Sequence, residues 1–130
     1  QLKTVEDIMI TGKKIPFIDE NIKMKQATKI VSKMGLGFLI IRDSKKKTLG
    51  IITDGQIRRS LEKSNNFQTL SVKKIMTKNP ITIDKDELAA KALSMMNSKQ
   101  ITSLLVSNNK KPSNIIGVLH IHTILKSNIS

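Results

Sequence analysis

Cysteine, tyrosine and tryptophan are absent from these 130 residues, and arginine and phenylalanine occur three times each. Without cysteine there is no disulfide, no thiolate metal site and no cysteine nucleophile. With no Tyr, no Trp and so few arginines, the stacking surfaces and bidentate forks of sequence-reading nucleic-acid binders are scarce. Long hydrophobic runs are missing too. None approaches the roughly 18 residues needed to span a bilayer, and Gln1-Leu2-Lys3-Thr4 lacks a secretory pattern. The expectation is a cytoplasmic protein in a reducing compartment, with no membrane partner. The first residue is not methionine, so we read the chain as a fragment of a longer protein, cut at a linker.

Acidic side chains are few, and none occurs from Leu88 to Ser130, which leaves a formal net charge of +13. Such a surface attracts polyanions without any specific site. The lysines are nevertheless spread along the whole chain, from Lys13-Lys14 to Lys110-Lys111, as expected of solvated side chains. We expect no specific nucleic-acid partner. The basic half can still face a phosphorylated ligand or an acidic partner.

What the chain does have is a repeat. Val5-Glu6-Asp7-Ile8-Met9 returns as Val72-Lys73-Lys74-Ile75-Met76, Ile18-Asp19 as Ile83-Asp84, Ala27 as Ala92, and Phe38-Leu39-Ile40-Ile41 as Ser103-Leu104-Leu105-Val106, about 65 residues on. Two residues of slippage near Lys45-Lys46-Lys47 bring Leu49-Gly50-Ile51-Ile52-Thr53 onto Ile116-Gly117-Val118-Leu119-His120. Units of about 60 residues hide only about 60% of their unfolded surface. Residues 1–66 and 67–130 are therefore expected to pack as one domain with pseudo-twofold symmetry, any ligand site lying at their interface.

The pattern predicts an α/β fold of two β-α-β-β-α repeats, each preceded by a helical turn. Pro16 demotes the first strand to an edge. Asp19 or Asn21 is expected to cap a helix carrying Ile22, Ala27, Ile30, Val31 and Met34, which Gly35 and Gly37 stop. Phe38 to Ile41 reads as a buried strand. Thr48 to Ile52 is the next strand, followed by a helix from Asp54 to about Lys63. In the second copy Asp84 or Asp86 is the expected cap, Ser103 to Val106 and Ile115 to Leu119 are strands, and the last helix runs from Ile121 to about Ser127. The polar stretch from Lys63 to Ser71 reads as a linker tacked down by Phe67 and Leu70. Met24, Met34, Met95 and Met96 fall at helical spacing and read as core filler.

Few residues could carry chemistry. Thr53 stands where a strand hands over to a helix, so its hydroxyl and the following N–H groups can converge on a phosphate. Asp54 suits the helix dipole without further function. Arg58 and Arg59 follow one turn on; one can face a cleft and pair a phosphate or carboxylate, or both can be ordinary exposed bases. His120 and His122, two apart at a strand end, share a face, but no third ligand lies near, so a capping or anion-contacting role is favoured over metal. No Ser-His-Asp arrangement can be assembled, and catalysis by this stretch is not expected.

Val72-Lys73-Lys74-Ile75-Met76 with Asn79-Pro80-Ile81-Thr82-Ile83, and Gly50-Ile51-Ile52-Thr53-Asp54-Gly55-Gln56, together resemble the cystathionine β-synthase (CBS) domain, whose modules occur in tandem. Lys33-Met34-Gly35-Leu36-Gly37, Gly50 to Leu61, and Gly117-Val118-Leu119-His120-Ile121-His122 further resemble the pair that ends bacterial D-arabinose 5-phosphate isomerases. That family makes the precursor of Kdo, the acidic sugar of lipopolysaccharide and some capsules. Its catalytic sugar isomerase (SIS) domain precedes the pair, and this chain lacks it. The resemblance implies a non-catalytic regulatory and assembly module, partnered by a second copy of itself and by that SIS domain. Together with the residue readings above, it gives Thr53, Asp54, Gln56, Arg58, Pro80, Ile81, His120, His122 and Thr123 as the expected ligand-binding residues. Related modules carry an Asp for ribose hydroxyls three residues after the Thr. Here Gln56 and Thr123 take that place, which removes a charge-assisted contact and weakens the case for an adenine nucleotide. No cofactor is required; the implied ligand is a regulatory adenine nucleotide or a nucleotide-sugar such as CMP-Kdo. A purely structural dimerisation module is the rival reading, and a pair from another enzyme or transporter fits the same motifs.

Overall fold

The computed structural model describes residues 2–127, so the outermost ends of the two repeats, residue 1 and residues 128–130, lie outside it. Among the described residues are six α-helices and two sheets. The chain divides into two compact units. One is the contiguous stretch Pro16–Pro80; the other joins the residues up to Ile15 with those from Ile81 onward.

In the contiguous unit, β1 (Phe17–Asp19), β2 (Phe38–Arg42), β3 (Thr48–Thr53) and β4 (Thr77–Lys78) lie side by side in that order. β1 runs parallel to β2 through the crossover helix α2 (Met24–Met34), and the other pairings are antiparallel. Pro16 precedes β1 at the sheet edge, where its missing N–H costs no ladder bond, as expected. The β2–β3 pairing skips Leu49 in a bulge. Ile18, Leu39, Ile41 and Ile52 from the sheet close on Met24, Ala27 and Val31 of α2 and Ile57 of α3 (Asp54–Lys63). Burial of each large aliphatic side chain contributes about 1.5–3 kcal/mol. Phe67 is buried in the same core and Leu70 packs against it, so the stretch after α3 is tacked down as predicted.

The two-segment unit repeats this plan. β5 (Thr82–Asp84) is parallel to β6 (Ser103–Asn108), which is antiparallel to β7 (Lys111–His120), and the pairing skips Ile116 just as the first copy skips Leu49. Val5, Ile83, Ala92, Met96, Leu104, Val106, Leu119 and Ile124 form its core, with α5 (Ala89–Lys99) and α6 (Ile121–Lys126). Met24 and Met96 are fully buried, and Met34 and Met95 pack against these cores, consistent with the filler reading.

The expected helix caps are corrected. Asp19 Oδ1 accepts the N–H of Asn21, closing a local turn, and α2 starts instead after Lys23, whose N–H donates to Gln26 Oε1 at 3.1 Å. Asp84 likewise accepts the N–H groups of Asp86 and Lys110, and α5 starts after Leu88. In both copies the aspartate's short side chain reaches its own turn more readily than a helix several residues on.

The opening turn of each repeat belongs to the other repeat's unit. α1 (Val5–Ile8) donates from Val5 N to Glu87 O and from Glu6 N to Lys85 O, and Ile10 pairs with Val118 in both directions. α4 (Val72–Ile75) correspondingly donates from Val72 N to Ile22 O, and Thr77 pairs with Ile51. A glycine makes each approach possible. A Cβ at Gly50 would collide with the carbonyl oxygen of Thr77 and with Met76, and one at Gly117 with Met9 and with Ile10 O. Replacing Gly50 by Val is expected to lower stability by about 1–3 kcal/mol in urea denaturation, because Met76-Thr77 must lift off β3. An unchanged midpoint would show that the close approach is dispensable.

Candidate functional site

Each unit has one junction where a strand passes straight into a helix, and the sequence-predicted residues other than Pro80 and Ile81 lie there. In the contiguous unit Thr53 ends β3 opposite Phe38, and Asp54 N donates to Gly37 O at 2.9 Å, which fixes where α3 begins. Gly37 holds φ +83° there, in the left-handed region that glycine adopts freely. Thr53 Oγ1 accepts the N–H of Gln56 at 3.1 Å, and Gln56 Oε1 accepts the N–H of Thr53 at 2.9 Å. This is a reciprocal capping box. The Gln56 Nε2 group donates to Thr77 Oγ1 at 2.9 Å, so the amide ties the first turn of α3 to β4. Gln56, expected to meet a sugar hydroxyl, is thus engaged at both ends of its amide within the protein.

Asp54 and Arg58 form an i,i+4 pair at 3.7 Å with both side chains more than half exposed, a contact of about 0–1 kcal/mol. Arg59, rather than Arg58, lines a shallow hollow of about 440 Å³ with Gln56, Ser60 and Ile75. Thr77 as partner of Gln56 and Arg42 lying 3.6 Å over the Phe17 ring went unnoticed in the sequence. The second follows from register, since β1 and β2 are parallel neighbours, but requires knowing that they pair.

In the two-segment unit His120 ends β7 opposite Ser103, and Ile121 N donates to Thr102 O at 2.9 Å, the counterpart of the Asp54–Gly37 bond. His120 Nδ1 accepts the N–H of His122 at 3.2 Å, and the two rings stack with centroids 5.0 Å apart. An accepting Nδ1 is unprotonated, so the cap holds His120 neutral with its proton on Nε2. Burial, and then the neighbouring His122, push its pKa below the ordinary value. Thr123 stands where Gln56 stands in the other copy. Among the described residues no group of three or more His, Asp or Glu side chains is placed to hold a metal.

Pro80 closes the contiguous unit, after Asn79 at φ +55°. Ile81 opens the second stretch of the other unit, 41% exposed, and its carbonyl accepts from Leu105 N. By strand register Ile81 and His120 lie at the same end of the three-stranded sheet. The structure therefore groups Thr53, Asp54, Gln56 and Arg58 in one unit, and Ile81, His120, His122 and Thr123 in the other.

This arrangement, two βαββα copies each ending in a capped strand-to-helix junction, has known counterparts. A model of the CBS domain matches residues 5–63 and again 72–129. The chain belongs to the CBS domain family. Over 128 residues it is 34% identical to the arabinose 5-phosphate isomerase KdsD of Salmonella typhi, a match covering 98% of this chain and 38% of that protein. The KdsD of Escherichia coli strain K12 matches with the same identity and coverage. The chain thus spans little more than a third of these curated relatives. Among solved structures, the CBS domain pair of MJ0100, in complex with 5′-methylthioadenosine and S-adenosyl-L-methionine, superposes with a TM-score of 0.80 at 26% identity, covering 98% of this chain and 96% of that one. CBSX2 in complex with AMP shares the fold, with a TM-score of 0.81 at 16% identity over 95% and 94% of the two chains.

Two expectations follow for the junctions of this CBS pair. Thr53→Val and Gln56→Leu should each lower stability by about 1 kcal/mol, and the double variant by clearly less than the sum, because both remove one box. Strict additivity in urea denaturation would show that the two bonds are independent. For His120, the unfolded chain takes up its proton near the usual pH 6.5, and the folded chain only at lower pH. The stabilising effect is complete above pH 6.5 and is lost as pH falls from there towards the folded value. Asp7 and Asp84, held low chiefly by backbone N–H bonds, act only in more acid solution. His120→Thr, which retains a capping oxygen, should flatten the fall in melting temperature between pH 7.5 and pH 5; an unchanged slope would place the titration elsewhere.

Proposed function

We propose that this CBS pair is the regulatory and assembly part of a cytoplasmic sugar-phosphate isomerase that interconverts D-ribulose 5-phosphate and D-arabinose 5-phosphate, and that it senses a nucleotide or nucleotide-sugar. The observation that carries the isomerase reading is the 34% identity to KdsD along almost the whole chain. The match of both repeats to the CBS domain supports a module that acts on an attached SIS domain rather than on substrate. A ligand regulates only by binding two arrangements of the protein unequally.

That MJ0100 is in complex with 5′-methylthioadenosine and S-adenosyl-L-methionine, and CBSX2 with AMP, supports a nucleotide as the class of ligand. The missing carboxylate at positions 56 and 123 favours a ligand other than a simple adenine nucleotide. The acidic nucleotide-sugar at the end of the pathway, CMP-Kdo, suits a basic, histidine-bearing site, and feedback by it is our preferred reading. A structural role as a dimer-forming element, without a ligand, is supported by one observation: the Gln56 amide is already fully hydrogen-bonded.

Calorimetric titration with AMP, ATP and CMP-Kdo separates these readings. CMP-Kdo is expected to bind, and Thr53→Arg or His120→Glu to abolish its heat while the oligomeric state by light scattering stays unchanged. No heat from any of the three would remove the sensing role and leave the structural one.

A further inference from the structure

The geometry points to a second, separate ligand site at the opposite end of the four-stranded sheet: a basic cleft that takes the phosphoryl group of a small phosphorylated molecule. Leu49 and Thr53 are four residues apart on β3, so the cleft lies about 13 Å from the capped junction. Its volume is about 580 Å³, within the range of small-molecule sites.

Four lysines line it, Lys45, Lys47, Lys73 and Lys78, with two carboxylates, Glu20 and Asp43. Both carboxylates are engaged by the protein itself. Glu20 holds Lys73 at 2.9 Å, and Asp43 Oδ1 accepts the N–H groups of Lys45 and Lys47, each at 2.9 Å. The described ion pairs include Lys73 but none of Lys45, Lys47 or Lys78. Four lysines against two carboxylates leave the cleft a formal net charge of +2: Glu20 offsets Lys73, and Asp43 offsets one of the three ammonium groups of Lys45, Lys47 and Lys78. Local backbone geometry sets them around it: Lys46 at φ +64° tightens the turn between Lys45 and Lys47, and Lys78 is placed beside them by pairing with Gly50 across β3 and β4. The bulge at Leu49 and the side chain of Met76 supply an apolar wall. Compact cations beside an apolar wall suit a phosphate ester with a carbon skeleton.

The other copy shows that the fold does not require this charge. There the Glu20–Lys73 pair recurs with its polarity reversed, as Lys85 and Glu6 at 3.7 Å. By repeat position Lys47 becomes Asn114 and Lys78 becomes Thr11. The same structural pair is retained while two of the three unengaged cations are replaced by neutral residues.

The test is an NMR titration of the uniformly ¹⁵N-labelled chain with glycerol 2-phosphate and with inorganic pyrophosphate at low salt. The largest amide shifts are expected at Ser44, Lys45, Lys47 and Lys78, with residues 53–56 and 120–123 little changed. Lys47→Gln/Lys78→Gln should weaken binding roughly tenfold or more. Lys25→Gln/Lys29→Gln, which removes the same charge from a different hollow of the same unit, should leave it unchanged. Equal weakening in both double variants would reduce the effect to net charge and overturn the proposal. So would shifts centred on residues 53–56 or 120–123, no shifts at all, or an oligonucleotide that binds the lysine cleft more tightly than either phosphate. The wild-type shift map decides the location even if a variant unfolds.

Discussion

Backbone lying against backbone at Gly50 and Gly117 is the constraint on which the two units depend. At both places the segment following a Val-x-x-Ile-Met turn passes so close to a strand, β3 in one unit and β7 in the other, that a methyl group would meet a carbonyl oxygen. The strand therefore gains a further backbone neighbour, Thr77 beside Ile51 in one unit and Ile10 beside Val118 in the other. Because that neighbour comes from the other repeat, a repeat of the sequence is not a unit of the fold. Val5 is completely buried among second-repeat residues and Val72 among first-repeat residues.

The repeat itself, the order of elements and the helix-strand alternation were legible because apolar spacing and glycine breaks report them directly. The exchange of opening turns was not, since nothing local in Val5 to Met9 says which strand it will meet. The end of α5 was hidden for a different reason. Gly35 stops α2 visibly, whereas its counterpart Gln100 takes the same left-handed conformation at φ 53° with an ordinary side chain. The caps went astray because several aspartates and asparagines lay within reach of each helix start, and those at hand closed turns of their own.

At the junctions, the positions were legible and the bonding was not. Thr53 and His120 could be located as strand-to-helix residues from the repeat alone. That Gln56 would complete a box with Thr53 and reach across to Thr77 required the β3–β4 pairing. The copies differ in how they solve one problem, the free N–H groups of a helix start. One uses a hydroxyl and an amide, insensitive to pH; the other uses an imidazole nitrogen, which works only while unprotonated. A shared geometry has acquired two chemistries.

The exchanged opening turns also set an order of assembly. Synthesis runs from the N-terminus, and domains generally fold as units when their residues have emerged. The stretch Pro16–Pro80 possesses every strand, helix and turn of its unit once Pro80 is made. The turn that comes first, Val5 to Ile10, has its partners in Lys85, Glu87 and Val118, and so waits through most of synthesis for them. Val5 to Ile10 is thus made before the contiguous unit but finds its place only after that unit's residues are complete.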